Sequence, residues 1–260
     1  MAKARAARRH RPVSCSTPAA SFVKPLRPRN RNVRLWSAAA FVSLIVSTTA
    51  CAGDPWEAWP ELDLFKQQSP LIRYYFAATY AEGKESQFRT LDTAAYADIT
   101  LGTHLPISHQ KEDWQTKKYF WMRVGYDHIF KGDGVEKAAP EERAIIALHA
   151  RHFLPGGLFF EARLRADLRW IDGEYSQRYR FRVEVNRDFN VRSHVVTPYL
   201  QAEWFDDSRY DGTSRELYQL GVEIAINKHF RVEPSVARQF DYFPSPSGLY
   251  ALAFVARWYH

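Results

Sequence analysis

The chain has 260 residues, a formal charge of +7 and 15% aromatic residues, which at first reading suits a basic domain. The first 52 residues hold ten Lys or Arg and no Asp or Glu, leaving 26 basic against 29 acidic residues beyond them. That slight acidity excludes a nucleic-acid partner, because neutralising phosphates needs a clustered excess of Lys and Arg on the folded domain.

Residues 1–52 read as a signal peptide. The segment 35–50 (LWSAAAFVSLIVSTTA) is uncharged and follows Arg34, and Ala50, Cys51 and Ala52 form a small-residue cleavage site before Gly53. The segment is too short for a transmembrane helix. Arg8-Arg9 is followed by His10, Arg11 and Pro12, which departs from a twin-arginine signal, so the general secretory route is expected. A start codon placed too far upstream, with the true start nearer Val33, is one explanation of the long basic leader, and a long n-region is the other. A lipid anchor on Cys51 competes with simple cleavage, but Thr48 stands where an aliphatic residue is usual. Cys15 and Cys51 both fall in this leader, so the exported part has no disulfide framework and no cysteine metal site. No later run of about 18 apolar residues occurs, which excludes a helical membrane protein.

Residues 53–69 form an N-terminal segment. Within it WEAWPELDLF (56–65) sets Leu62 and Leu64 against Glu61 and Asp63, as a first strand would; a periplasmic or plugging segment is the alternative. Residues 70–260 contain candidate strands at 70–80, 88–101, 117–130, 142–153, 158–171, 175–187, 195–205, 215–227, 229–240 and 248–259. The clearest is LFFEARLRADLRW (158–170). One parity is Leu158, Phe160, Ala162, Leu164, Ala166, Leu168 and Trp170, and the other is Glu161, Arg163, Arg165, Asp167 and Arg169. Successive strand side chains point to opposite faces, so one face is apolar and the other charged. The next strand sets Tyr179, Phe181, Val183 and Val185 against Arg178, Arg180, Arg182, Glu184 and Asn186. The two after it oppose Val196, Pro198, Leu200, Ala202 and Trp204 to Thr197, Tyr199, Gln201 and Glu203, and Tyr218 to Ile226 to Gln219, Gly221, Glu223 and Asn227.

These strands are longer than the 5 or 6 residues usual in soluble sheets and sufficient for a tilted crossing of a bilayer, which needs 9 to 11. Aromatics collect near strand ends (Trp170, Tyr175, Trp204, Phe205, Trp258, Tyr259), where an interfacial girdle is found. The chain closes on an apolar parity, Tyr250 to Trp258, followed by His260 where such barrels commonly carry Phe or Trp. Short connections (154–157, 227–229) tend to alternate with longer ones (131–141, 206–214, 241–247), although 102–116 is long on the short-loop side. The expected fold is an all-β, antiparallel transmembrane barrel of about 10–12 strands, with an even count returning both termini to the periplasm.

From about Trp59 onward the chain resembles a family of uncharacterised proteobacterial outer-membrane β-barrel proteins of unknown function. The resemblance is carried by WPEL (59–62), VGYDHIF (124–130), EERAIIALHARHF (141–153), EARLRADLRW, YSQRYRFRVEV, TPYLQAEWFDDSRY (197–210) and ELYQLGVEI. It implies an outer-membrane location in a Gram-negative envelope and a barrel fold, and supplies no catalytic residues. The implied partners are outer-membrane lipids and, during biogenesis, the barrel-assembly machinery.

If the apolar parity faces lipid, the lumen receives a charged ladder: Glu161, Arg163, Arg165, Asp167, Arg169, Arg178, Arg180, Arg182, Glu184, Glu203 and Glu223. Two readings remain open: mutual Arg–carboxylate filling of a narrow interior, or a constricted basic path for anions. His104, His109, His128, His149, His152, His194 and His229 are dispersed and expected at the surface or interface, with His149 and His152 on opposite strand faces. Gly132, Asp133 and Gly134 read as turn chemistry, and Pro244 and Pro246 as a loop. No nucleophile elbow, zinc-protease or phosphate-loop motif occurs, so no catalytic residue, cofactor or metal is expected. The functional expectation is a structural barrel or narrow pore, with a lipid-modifying outer-membrane enzyme or a soluble periplasmic β-domain as alternatives.

Overall fold

The computed structural model describes residues 55–83, 88–102, 119–131, 140–210, 212–243 and 247–260. The signal, its cleavage and the lipid-anchor alternative lie outside the described residues, as do Gly132, Asp133, Gly134, Pro244, Pro246, His104 and His109.

The strands are β1 (Trp56–Gln67), β2 (Ile72–Gly83), β3 (Phe88–Gly102), β4 (Phe120–Lys131), β5 (Glu141–Leu154), β6 (Leu158–Ile171), β7 (Glu174–Arg187), β8 (Phe189–Val191), β9 (His194–Asp207), β10 (Thr213–Ala225), β11 (Phe230–Asp241) and β12 (Ser247–Tyr259). From β1 to β7 and from β9 to β12 each pairs with its neighbour in sequence, β7 and β8 both pair with β9, and β12 pairs with β1, so the sheet closes on itself. β8 is the continuation of β7: Asn186 pairs with Tyr199 and Phe189 with Val196 in one register, interrupted opposite Thr197 and Pro198. Pro198 has no N–H to give the ladder, and Thr197 Oγ1 donates instead to Asp188 at 2.6 Å. Eleven strands therefore form the wall.

That count departs from the even number the loop lengths suggest. The 56–65 segment is the first wall strand and not a periplasmic or plugging segment, because β1 runs parallel to β12 from Trp56↔Tyr250 to Phe65↔Tyr259. An odd number of antiparallel passes leaves the two terminal strands pointing the same way. β1 consequently starts at the rim opposite the C-terminus. Two-residue turns at Asp172–Gly173 and Arg192–Ser193 close the hairpins β6–β7 and β8–β9.

The faces partition in reverse of a soluble protein. Leu62, Phe76, Ile146, Leu164, Phe181, Leu200, Leu252 and Phe254 are exposed on the outer wall, whereas Asp63, Arg73, Asp98, Asp127, Asp167 and Asp207 are fully buried inside. Exposed aromatics mark both rims, with Trp56, Phe130, Trp170 and Tyr175 at one and Tyr119 and Trp258 at the other. Phe205 and Tyr259, expected in that girdle, point inward because they share the parity of Glu203 and Arg257; Tyr259 stacks on Phe65 at 4.7 Å.

Candidate functional site

The interior is built by parity alone: every second residue of a strand enters the barrel, and on β6 and β7 those positions are largely Arg, Asp and Glu. The cations that are buried inside the barrel among the described side chains are arginines. A planar guanidinium satisfies two carboxylates at once in a dry space, which a point-charge ammonium does less well.

On β6 and β7 the register sets like against like: Glu161 faces Glu184, Arg163 faces Arg182, and Arg165 faces Arg180. Directly opposed like charges destabilise a sheet, and each is offset by a neighbour of opposite sign. Glu161 accepts from Arg151 Nε at 3.2 Å and Arg182 Nη2 at 3.3 Å. Glu203, on β9, accepts from Arg163 Nη2 at 2.6 Å and Arg180 Nε at 2.8 Å. Arg165 donates to Asp127 at 3.2 Å and also to Asp167. Toward the rim where β1 starts, Arg169 joins Glu141 to Asp207, which also takes Arg178 at 3.0 Å and Arg209 at 2.9 Å. In the β9–β10 turn these hydrogen bonds to Asp207 push the Arg209 pKa up from its ordinary value. Glu184 accepts from Asn186 at 2.8 Å. Glu223, on β10, binds Arg231 at 2.7 Å and Arg257 at 2.6 Å.

The charged interior extends beyond the ladder read from sequence. Asp98 bridges Arg73 (2.7 Å) and Arg123 (2.6 Å), Arg143 reaches Glu141 (2.7 Å) and Asp127 (3.7 Å), and Arg257 gathers Asp63 (3.2 Å) and Glu233. Their parity signals them as clearly as in β6, but each stands among Ala, Tyr and Thr instead of in a run. His149 is a correction: it is 3% exposed, stacked on Trp121 at 4.6 Å, with Nδ1 3.4 Å from Glu161. It occupies an inward position of β5, while His152 lies on the exposed outer face.

Tyrosines complete the lining. Tyr96 lies opposite Gly125 and Tyr199 opposite Gly221, each ring lying flat over the glycine so that its hydroxyl reaches a carboxylate. Tyr96 donates to Asp127 at 2.9 Å, and Tyr199 to Glu233 at 2.5 Å. Tyr259, Phe65, Tyr75 and Tyr96 stack successively, with Arg73 over Phe65 (4.3 Å) and Arg123 over Tyr75 (4.4 Å). This rib fills one side of the barrel. Beside it a polar cavity of about 400 Å³ remains, touched by Glu61, Asp63, Arg123, Arg163, Arg182, Glu203 and Glu233 among others. Asp167, Arg169 and Arg178 stand outside that lining. Among the described residues no three His, Asp or Glu converge as a metal site.

The family model described as "Protein of unknown function (DUF2490)" matches residues 85–249. No curated protein matches the chain. A solved structure similar to it is the crystal structure of the β domain of the Bordetella autotransporter BrkA, 16% identical, covering 74% of this chain and 85% of that one with a TM-score of 0.43.

Proposed function

The chain belongs to the DUF2490 family, whose function is unknown, and we propose that it is an integral β-barrel of a Gram-negative outer membrane with a narrow, charge-lined lumen that passes small polar solutes. The observation that carries this reading is the reversed partition. Large apolar side chains are exposed around the wall while Arg, Asp and Glu are buried within it. A water-soluble barrel exposing so much apolar surface would associate or precipitate; a bilayer makes the same surface favourable. Strands of 12 to 15 residues suffice for a tilted crossing, and closure leaves no edge to expose unpaired backbone to hydrocarbon.

The lumen reading rests on the polar cavity beside the aromatic rib. Ion pairs hold the guanidiniums against the wall, so the walls are stiff and the space between them is narrow. In this reading export follows the general secretory route, the assembly machinery inserts the strands, and outer-membrane lipids contact the leucine-rich wall.

Cell fractionation tests the location. The chain is expected in the outer-membrane fraction, released by detergent only, and to run as a faster band on unboiled than on boiled gels. Release by salt or osmotic shock alone removes the membrane reading. Planar-bilayer recording tests the lumen: small conductance steps are expected, and a silent bilayer with demonstrably folded protein removes the pore.

A further inference from the structure

The charged residues around the cavity are sorted by side. In the ring of eleven strands β1 stands opposite β6 and β7, and β11 opposite β4 and β5. The β6–β7 wall presents the facing pairs Arg163–Arg182 and Arg165–Arg180, four cations against Glu161 and Glu184; β1 opposite presents Glu61 and Asp63 beside Arg257 of β12, and Glu233 on β11 stands opposite β4 and β5. A low-dielectric barrel wall focuses the field of such opposed groups across the space between them.

Each wall also keeps bonding capacity in reserve. Arg163 and His149 line the cavity, and Nε of Arg163 and Nε2 of His149, buried out of contact with it, have no hydrogen-bond partner among the described residues. Arg182 makes one hydrogen bond, the 3.3 Å contact to Glu161. Across from them, among the described residues, Glu61 takes a long contact from Tyr75, at 3.5 Å, and a hydrogen bond shared with Asp63, whereas Asp63 and Glu233 are tied to Arg257. Arg182 and Glu61 are the lining groups with weak partners, and a ligand that supplies stronger ones binds there preferentially.

Building on the pore reading, we infer that this cavity selects small zwitterionic solutes, with a carboxylate end held by Arg163 and Arg182 and an ammonium end held by Glu61. A simple anion satisfies one wall and meets carboxylates at the other; an uncharged solute satisfies neither.

Liposome swelling with the purified full chain tests this, comparing glycylglycine with arabinose, an uncharged solute of similar size. Glycylglycine is expected to enter faster by a factor of roughly 3 to 10. Glu61→Gln and Arg182→Gln are each expected to bring the ratio of glycylglycine to arabinose entry close to one, with the heat-modifiable band retained as the sign of a folded barrel. Equal entry of the two solutes leaves the pore and overturns the inference. A preference lost in Arg182→Gln and retained in Glu61→Gln also overturns it, because the lumen then reads anions alone. No swelling with either solute removes the pore, and the inference with it.

Discussion

Asp98 is 0% exposed and holds two guanidiniums, Arg73 and Arg123, of which Arg73 is itself buried. Replacing Asp98 by Asn keeps the shape and removes the charge, leaving two cations in a dry interior. Breaking a buried pair in this way costs about 3–5 kcal/mol, so Asp98→Asn is expected to lower the urea midpoint of the folded protein markedly. The Arg89–Glu82 pair serves as control. Both partners are largely exposed, and Glu82→Gln is expected to change stability by about 0–1 kcal/mol. The two glycines under tyrosines differ in a similar way. A methyl at Gly125 meets the Ala95 carbonyl oxygen at 2.5 Å as well as the Tyr96 ring, and backbone cannot step aside. At Gly221 it meets only the outer end of the Tyr199 ring. Thermal scans are expected to place Gly125→Ala near the top of the roughly 1–3 kcal/mol range for overpacking and Gly221→Ala near the bottom; equal effects would mean that Tyr96 does not lie over Gly125.

At the scale of the strand, the sequence was most informative where charges ran together. The alternation in 158–170 assigns both faces of β6 without any structure, and the same rule applied to Asp98 assigns its face, though it is a single charge in a neutral stretch. Partner choice was not legible. Arg163 bonds a carboxylate two strands away on β9, and Arg257 bonds Asp63 nearly the whole chain away on β1; these depend on register and closure, which no local pattern encodes. The parallel seam was hidden for the same reason. It is directly testable, because Leu62 and Ala256 are register partners on the outer face. A Leu62→Cys, Ala256→Cys protein is expected to form an intrachain disulfide, seen as a mobility change on reduction. Persistent free thiols in the folded protein would rule out closure of β1 on β12. Prolines frame this seam: the β1–β2 ladder is interrupted at Trp59 and Pro60, and the β10–β11 ladder at Glu233 and Pro234. Neither proline can donate, so β11, β12 and β1 are joined to one another by continuous ladders and to the rest of the wall by interrupted ones.

For the whole molecule the question is which solvent its outer surface is built for, and one residue separates the answers. Leu164 sits midway along β6, 59% exposed, with Arg163 and Arg165 on either side of it turned into the barrel. In water an arginine at 164 would be harmless or helpful, since it replaces an exposed apolar side chain and strains nothing inside. In a bilayer the same arginine lies at the hydrocarbon midplane, where a charge on a barrel's lipid face costs about 2–4 kcal/mol. Leu164→Arg is therefore expected to lower the urea midpoint in lipid vesicles and to reduce the heat-modifiable band in cells. Arginine in place of Trp170, on the same face close to the rim, is expected to cost about 0–1 kcal/mol in charge burial, and the gradient between the two positions locates the bilayer along the strand. The neighbouring Arg163 and Arg165 are tolerated because each has a carboxylate within reach inside, so position on the strand face, and not the presence of arginine, decides the outcome. Unchanged or raised stability for Leu164→Arg would assign the outer wall to water and remove the membrane reading together with the pore.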